Sequence, residues 1–151
     1  MTNNATQIAN LLYCYAECID TGNLEGAAAL FRNARVKTHG SDSLLGEVEL
    51  AALWRSAIII YPCGTPRTKH VITNPIIEID DSAGTALCRS YYTVVQAVDG
   101  FGLQVIASGR YHDKFERVDG MWRFSYRDYS LLDSAGDLSR HLTFPVTREK
   151  P

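Results

Sequence analysis

Apolar residues recur at helical spacing near the start of the chain, where Ile8, Leu11, Leu12, Tyr15 and Ile19 fall on one face of a helix that runs to about Asp20. Asn4, with Gln7 three residues on, has the form of a capping signal for it. In helical projection Tyr15 sits near the middle of the apolar stripe. Asp20 falls at its edge beside Tyr13 and Ala16, either turned inward or half exposed. Gly22 suits the end of this helix, and Asn23 suits the cap of a short second one from Leu24 to Phe31. Weak strand character follows from Ala34 to Gly40. After a break over Gly40 to Ser43, a third helical pattern runs through Val48, Leu50, Leu53, Trp54, Ala57 and Ile58.

The period then changes. Tyr61 to Arg67 contains two prolines and a glycine and cannot continue a helix. His70 to Asp80 and Thr85 to Val98 read as long strands around the turn signal Asp81-Ser82-Ala83-Gly84. Asp99-Gly100-Phe101-Gly102 predicts a hairpin into a strand from Leu103 to Arg117, and Asp119-Gly120 a second hairpin into Met121 to Tyr129. Alternation in the Leu103 strand puts Leu103, Val105, Ala107, Gly109 and Tyr111 on one face. Gln104, Ile106, Ser108, Arg110 and His112 take the other. The small Ala107 and Gly109 leave room beside Tyr111, either for a cavity wall or for a closely packed helix. Helices followed by a meander of strands predict an α+β domain with the helices on one face of a curved, mostly antiparallel sheet and a cavity between the layers. Residues 1–151 read as one domain, with a core over about 5–132 and a looser tail over 133–151 that has room for a short docked segment.

Composition narrows the function classes. A hydrophobic fraction of 46% and a charged fraction of 21% are ordinary for a globular domain, and a net charge of -2 gives no basic field for nucleic acid. No run approaches the roughly 20 apolar residues of a membrane span. The opening Met1 to Gln7 lacks the basic and apolar regions of a secretion signal, so a cytoplasmic location without a membrane partner is expected. Cys14, Cys18, Cys63 and Cys88 are then expected as reduced thiols. Cys14 and Cys18 lie four apart on the first helix and could share a metal, but no partner follows at zinc-site spacing. Packing is the reading taken, and no metal site is expected.

Candidate chemistry centres on His70, which opens an apolar strand directly after the proline- and glycine-rich loop. With Asp20 beside it, the pair would form an oriented general base. The bland alternatives are a strand-end histidine bonded to a backbone carbonyl and an acid capping the Asn23 turn. Trp54 and Tyr111 read as core or as platforms for an aromatic ligand, and Arg127 as the partner of a surface carboxylate on an adjacent strand. Arg110 and His112 suit the outer face of the sheet, while His39 and His141 receive no role.

Three stretches carry a family resemblance: the first-helix ending Tyr13 to Asp20, the segment His70-Val71-Ile72-Thr73-Asn74, and the hairpin from Gly109 to Phe124. Together they resemble the nuclear-transport-factor-2-like superfamily, in the SnoaL-like branch that includes scytalone dehydratase and hexachlorocyclohexane dehydrochlorinase. The resemblance covers nearly the whole chain and implies a cone-shaped, cystatin-like α+β barrel. It also implies that Asp20 orients His70, which removes a proton from a small hydrophobic cyclic or aromatic-derived substrate without a metal or organic cofactor. Tyr15 and Arg127 take positions of pocket residues by the same resemblance, joining Trp54 and Tyr111 as candidate substrate-binding groups. Tyrosine at position 15 departs from the lysine of the dehydrochlorinase, and the dehydratase's second active-site histidine has no counterpart. The resemblance also implies that the outer sheet face forms a subunit interface in a homo-oligomer, with a trimer favoured over a dimer. The expected activity is a dehydratase-like lyase, and a double-bond isomerase would use the same base. The competing classes are the non-catalytic small β subunit of an aromatic-ring-hydroxylating dioxygenase and a ligand-binding protein without turnover.

Overall fold

The computed structural model describes residues 3–146. The first helix, α1 (Asn4–Asp20), begins at a cap one residue earlier than the sequence signal, because Asn3 rather than Asn4 accepts the Thr6 N–H at 2.7 Å. Asn4 is freed to tie the helix to the sheet, donating to Asp81 in a turn between two strands at 2.8 Å and accepting from Trp122 Nε1 on a third strand at 3.1 Å. The buried face of α1 carries Ile8, Leu12, Tyr15, Ile19 and Asp20, so the edge position of Asp20 resolves inward. Asn23 caps α2 (Leu24–Ala29) by accepting the Gly26 N–H at 2.9 Å. The third helix is α3 (Glu47–Ala57).

Seven strands form one sheet: β1 (Arg35–Lys37), β2 (Leu44–Leu45), β3 (Thr68–Asp80), β4 (Thr85–Val98), β5 (Phe101–Val118), β6 (Met121–Asp128) and β7 (Leu132–Ala135). Their order is β2-β1-β6-β5-β4-β3, with β7 also paired to β5. The expected meander from β3 to β6 is antiparallel throughout. β1 pairs parallel to β6, which makes the sheet mixed, and the two-residue β2 escaped the pattern reading because it is too short to show a period. The sheet curves over the helices but does not close into a barrel. Among the described residues, no helix is long and apolar enough to cross a membrane.

One register change corrects the expected faces of β5. Val94 pairs with Ala107 and Val95 with Val105, so Ile106 is an extra residue in the ladder. Such a bulge moves every side chain beyond it to the opposite face. Leu103 and Val105 are therefore 77% and 52% exposed, while Ile106 and Ala107 are both buried. Alternation from Ala107 to Phe115 then runs as expected. Gly109 has a specific reason to be glycine: a Cβ there would sit 2.4 Å from the Leu131 carbonyl oxygen and 2.5 Å from Tyr92 Oη. The space beside Tyr111 is thus filled by Tyr92 at Gly109, whereas Ala107 borders a cavity.

After β7 the chain docks across the end of α3. Leu142 bridges Ile58, Ile59 N–H donates to the His141 carbonyl at 2.9 Å, and Thr143 N–H donates to Ala57 O at 2.9 Å. Gln96 on β4 adds a bond from Nε2 to the Arg140 carbonyl at 2.9 Å. These bonds fix the position of His141. The remainder of the expected tail, residues 147–151, lies outside the described residues.

Candidate active site

The end of α1 meets the start of β3 because the chain is thinned where they cross. Gly22 has φ +79°, and a Cβ on it would lie 2.0 Å from the Gly64 carbonyl oxygen. Only glycine allows both that conformation and that approach. The consequence is that Asp20, the last residue of α1, reaches three donors at the head of β3. Its Oδ1 accepts from Thr68 Oγ1 at 2.8 Å and faces His70 Nδ1 at 2.6 Å, and its Oδ2 accepts the His70 backbone N–H at 2.7 Å. Burial pushes the Asp20 carboxyl up, but the hydrogen bonds from His70 and Thr68 outweigh it and hold the group below its ordinary value.

That ionisation sets the tautomer. A carboxylate only accepts, so Nδ1 of His70 carries a proton and Nε2 of the neutral ring is bare. Among the described residues Nε2 has no hydrogen-bond partner. The ring is also held in place: its side chain is 5% exposed, and Tyr15 packs against it edge-on with centroids 6.3 Å apart.

His70 borders a cavity of about 350 Å³, a size at the small end of ligand sites. Ile19, Trp54 and Ala57 come to it from the helices, Tyr92 and Tyr111 from the sheet, and Leu138 from the docked segment. Tyr92, Tyr111 and Tyr129 stack in a row, with centroids 4.5 Å and then 6.0 Å apart. Burial lifts the Tyr92 and Tyr111 phenols above their ordinary value, so both stay neutral. No Asp, Glu, Lys or Arg side chain lines the cavity among the described residues.

Of the four expected substrate-binding residues, Trp54 and Tyr111 line this cavity with His70, and Tyr15 and Arg127 do not. Tyr15 is fully buried behind the wall, its hydroxyl 3.4 Å from that of Tyr129. Arg127 is neither a wall residue nor a surface partner. Asp113, opposite it in the β5–β6 ladder, takes its Nε at 2.7 Å and Nη2 at 3.0 Å in a buried fork. Its guanidinium lies 3.9 Å from the Tyr111 ring centroid and 4.5 Å from that of Tyr15. Burial opposes the charge on Arg127, but Asp113 outweighs it and holds the group protonated above its ordinary value. The alternation that faced Tyr111 inward also faced Asp113 inward, so this pairing was available in the sequence and was missed.

Two residues without an assigned role also reach the cavity, His39 and His141. His141 is 7% exposed, and its ring centroid lies 6.4 Å from that of His70. It comes from an irregular segment in which no periodicity indicates a facing direction.

A family model described as a SnoaL-like domain matches residues 2–128. No curated protein matches the sequence. Among solved structures, a protein of unknown function from Mycobacterium tuberculosis is 26% identical, over 83% of this chain and 70% of that one, with a TM-score of 0.66. A nuclear-transport-factor-2-like protein with a cystatin-like fold from Novosphingobium aromaticivorans is 20% identical, over 86% of this chain and 82% of that one, with a TM-score of 0.68. A candidate scytalone dehydratase from the same organism is 21% identical, over 96% of this chain and 94% of that one, with a TM-score of 0.68. At these identities the last two show the fold, which is cystatin-like.

Proposed function

The chain belongs to the SnoaL-like domain family, and on that premise we propose that it is a dehydratase-like lyase in which His70, oriented by Asp20, removes a proton from carbon. The observation that carries this reading is a bare imidazole nitrogen, fixed by a buried carboxylate, at the wall of a ring-sized apolar cavity. The substrate is a small cyclic or aromatic-derived molecule with an acidified C–H. His70 Nε2 takes the proton, the C–H electrons form a carbon–carbon double bond, and the hydroxyl on the next carbon leaves as water with the proton that the His70 imidazolium returns. Asp20 keeps the ring in the accepting tautomer and stabilises the imidazolium formed. Base catalysis of this kind contributes about 10²- to 10⁴-fold, and the cavity walls add to it by orienting the substrate. A double-bond isomerase would use the same first step.

The outer sheet face supports assembly. Val71, Ile76, Leu87, Tyr91 and Val105 lie on the side away from the helices, each about half exposed. Such a patch suits a subunit contact and supports the homo-oligomer, trimer favoured over dimer, that the resemblance implies. It also favours the second reading, a small β subunit that supports a catalytic partner.

The test is proton exchange. 2-Indanone, an uncharged ring ketone with acidic C–H bonds, is incubated with the protein in D₂O and followed by NMR. Exchange above the buffer rate that disappears in His70→Ala supports the lyase reading. Equal rates for the wild type and His70→Ala would defeat it and move the search to a partner subunit.

A further inference from the structure

The proton-accepting nitrogen of His70 is one half of what the cavity needs to hold an oxygenated ring. His141 enters from the docked segment, held by its own N–H to Leu138 O at 3.0 Å and by Ile59 N–H to its carbonyl at 2.9 Å. Its ring lines the same cavity as that of His70, at an interplanar angle of 65°, and no hydrogen bond joins the two.

The environments of its two nitrogens differ. Nδ1 is buried with no partner, whereas Nε2, also without a protein partner, is not completely sealed. A buried N–H without an acceptor is rarer and costlier than a lone pair without a donor. The proton of the neutral ring therefore belongs on Nε2, the nitrogen left for a ligand. Burial first, and then the charge of His70, push the His141 imidazole down to about 4, against a smaller opposing effect from Asp20, so the ring is uncharged near neutral pH.

We infer that His141 is the hydrogen-bond donor of the site, its Nε2–H receiving an oxygen of an uncharged ring substrate whose C–H faces His70. The two imidazoles stand in opposite tautomers for different reasons. Asp20 fixes the acceptor, and the lack of any partner at Nδ1 fixes the donor. Ligand charge is settled by the walls: no cationic side chain lines the cavity among the described residues, and the buried cation nearest the tyrosine row, Arg127, is spent on Asp113. A carboxylate or phosphate would lose its hydration with no counter-charge in return. A ketone or alcohol loses far less and gains the His141 bond.

This inference rests on the cavity being the substrate site, as proposed above, and is tested by binding rather than turnover. Three probes of one size are titrated calorimetrically into His70→Ala, which retains the cavity without the base: 2-indanone, indane, and indane-2-carboxylate. The ketone is expected to bind about tenfold tighter than indane, and the carboxylate weakest of the three. His141→Leu should erase the preference of ketone over indane while leaving indane unchanged, and His141→Gln, which retains a donor, should restore part of it. An unchanged ketone preference in His141→Leu overturns the inference, as does a carboxylate that binds tighter than the ketone. Failure of all three to bind at millimolar concentration overturns it as well. If the binding pattern holds while the wild type exchanges no protons, the base reading alone has failed.

Discussion

Replacing Asp20 by Asn retains the shape of the side chain and removes the charge that sets the His70 tautomer. The partner of Oδ2 is a backbone N–H, which can only donate, so the amide oxygen must take that place. The NH₂ then stands where Oδ1 was, against Thr68 Oγ1 and His70 Nδ1. The amide donates to Nδ1, and the ring proton moves to Nε2, where the base should be bare. The exchange rate on 2-indanone is expected to fall by about 10²- to 10⁴-fold. Stability should fall by only about 1–3 kcal/mol, because weaker neutral bonds replace charge-assisted ones. Asp20→Ala instead leaves three donors without an acceptor and should cost about 3–5 kcal/mol. The acid limb gives a second reading. Since the folded carboxyl is held low, its contribution is complete above the unfolded value of about 3.9 and is lost as pH falls through the lower folded value. The stability gap between the wild type and Asp20→Asn should therefore narrow in strong acid. Urea unfolding across pH, paired with exchange NMR, measures both quantities. A folded Asp20→Asn protein that retains the wild-type rate would refute the tautomer argument.

Other consequences follow from particular contacts. His141 is neutral in both states above about 6.5; below that the unfolded chain binds a proton that the folded protein refuses until about 4. Stability should drop by about 1.4 kcal/mol per pH unit through that window, and equilibrium unfolding of His141→Leu should show a shallower slope there. Asp113→Asn removes the charge that pairs Arg127 in the core and should cost about 3–5 kcal/mol in urea unfolding, whereas Asp113→Leu with Arg127→Met should cost less than that single change. Gly22→Ala forces a side chain into a φ of +79° and against Gly64 O. It should cost at least about 1–2 kcal/mol by thermal unfolding and slow proton exchange by moving Asp20 away from β3.

The fold was legible because helix and strand periods separate cleanly along the chain. The stripe through Ile8, Leu12, Tyr15 and Ile19 marks α1, and the turn residues at Gly84, Gly100 and Gly120 mark the meander. What failed was register. The sequence carries no sign that Ile106 is inserted into the ladder, since the bulge depends on how β4 and β5 meet, and the faces of Leu103 and Val105 were inverted as a result. Short β1 and β2 gain their place from neighbours rather than from their own three and two residues. For the site, the Asp20–His70 pair could be posed from the residues but was favoured over the bland readings only through the family resemblance, because 50 positions separate them and the approach depends on Gly22 meeting Gly64. Arg127 was misplaced for a physical reason: a cation near a pocket suggests a ligand contact until its carboxylate is found, and Asp113 pairs with its Nε and Nη2 inside the core. His141 carries no local signal, because its direction comes from hydrogen bonds made by the backbone around it.

The most direct measurement is the protonation of the His70 ring, read by long-range ¹H–¹⁵N correlation NMR on the labelled protein above neutral pH. A proton on Nδ1 with a bare Nε2, reversed to Nε2–H in Asp20→Asn, is the expected result. A wild-type ring that already carries its proton on Nε2 would contradict the base role of His70, since its cavity-facing nitrogen would then have no lone pair to accept a proton.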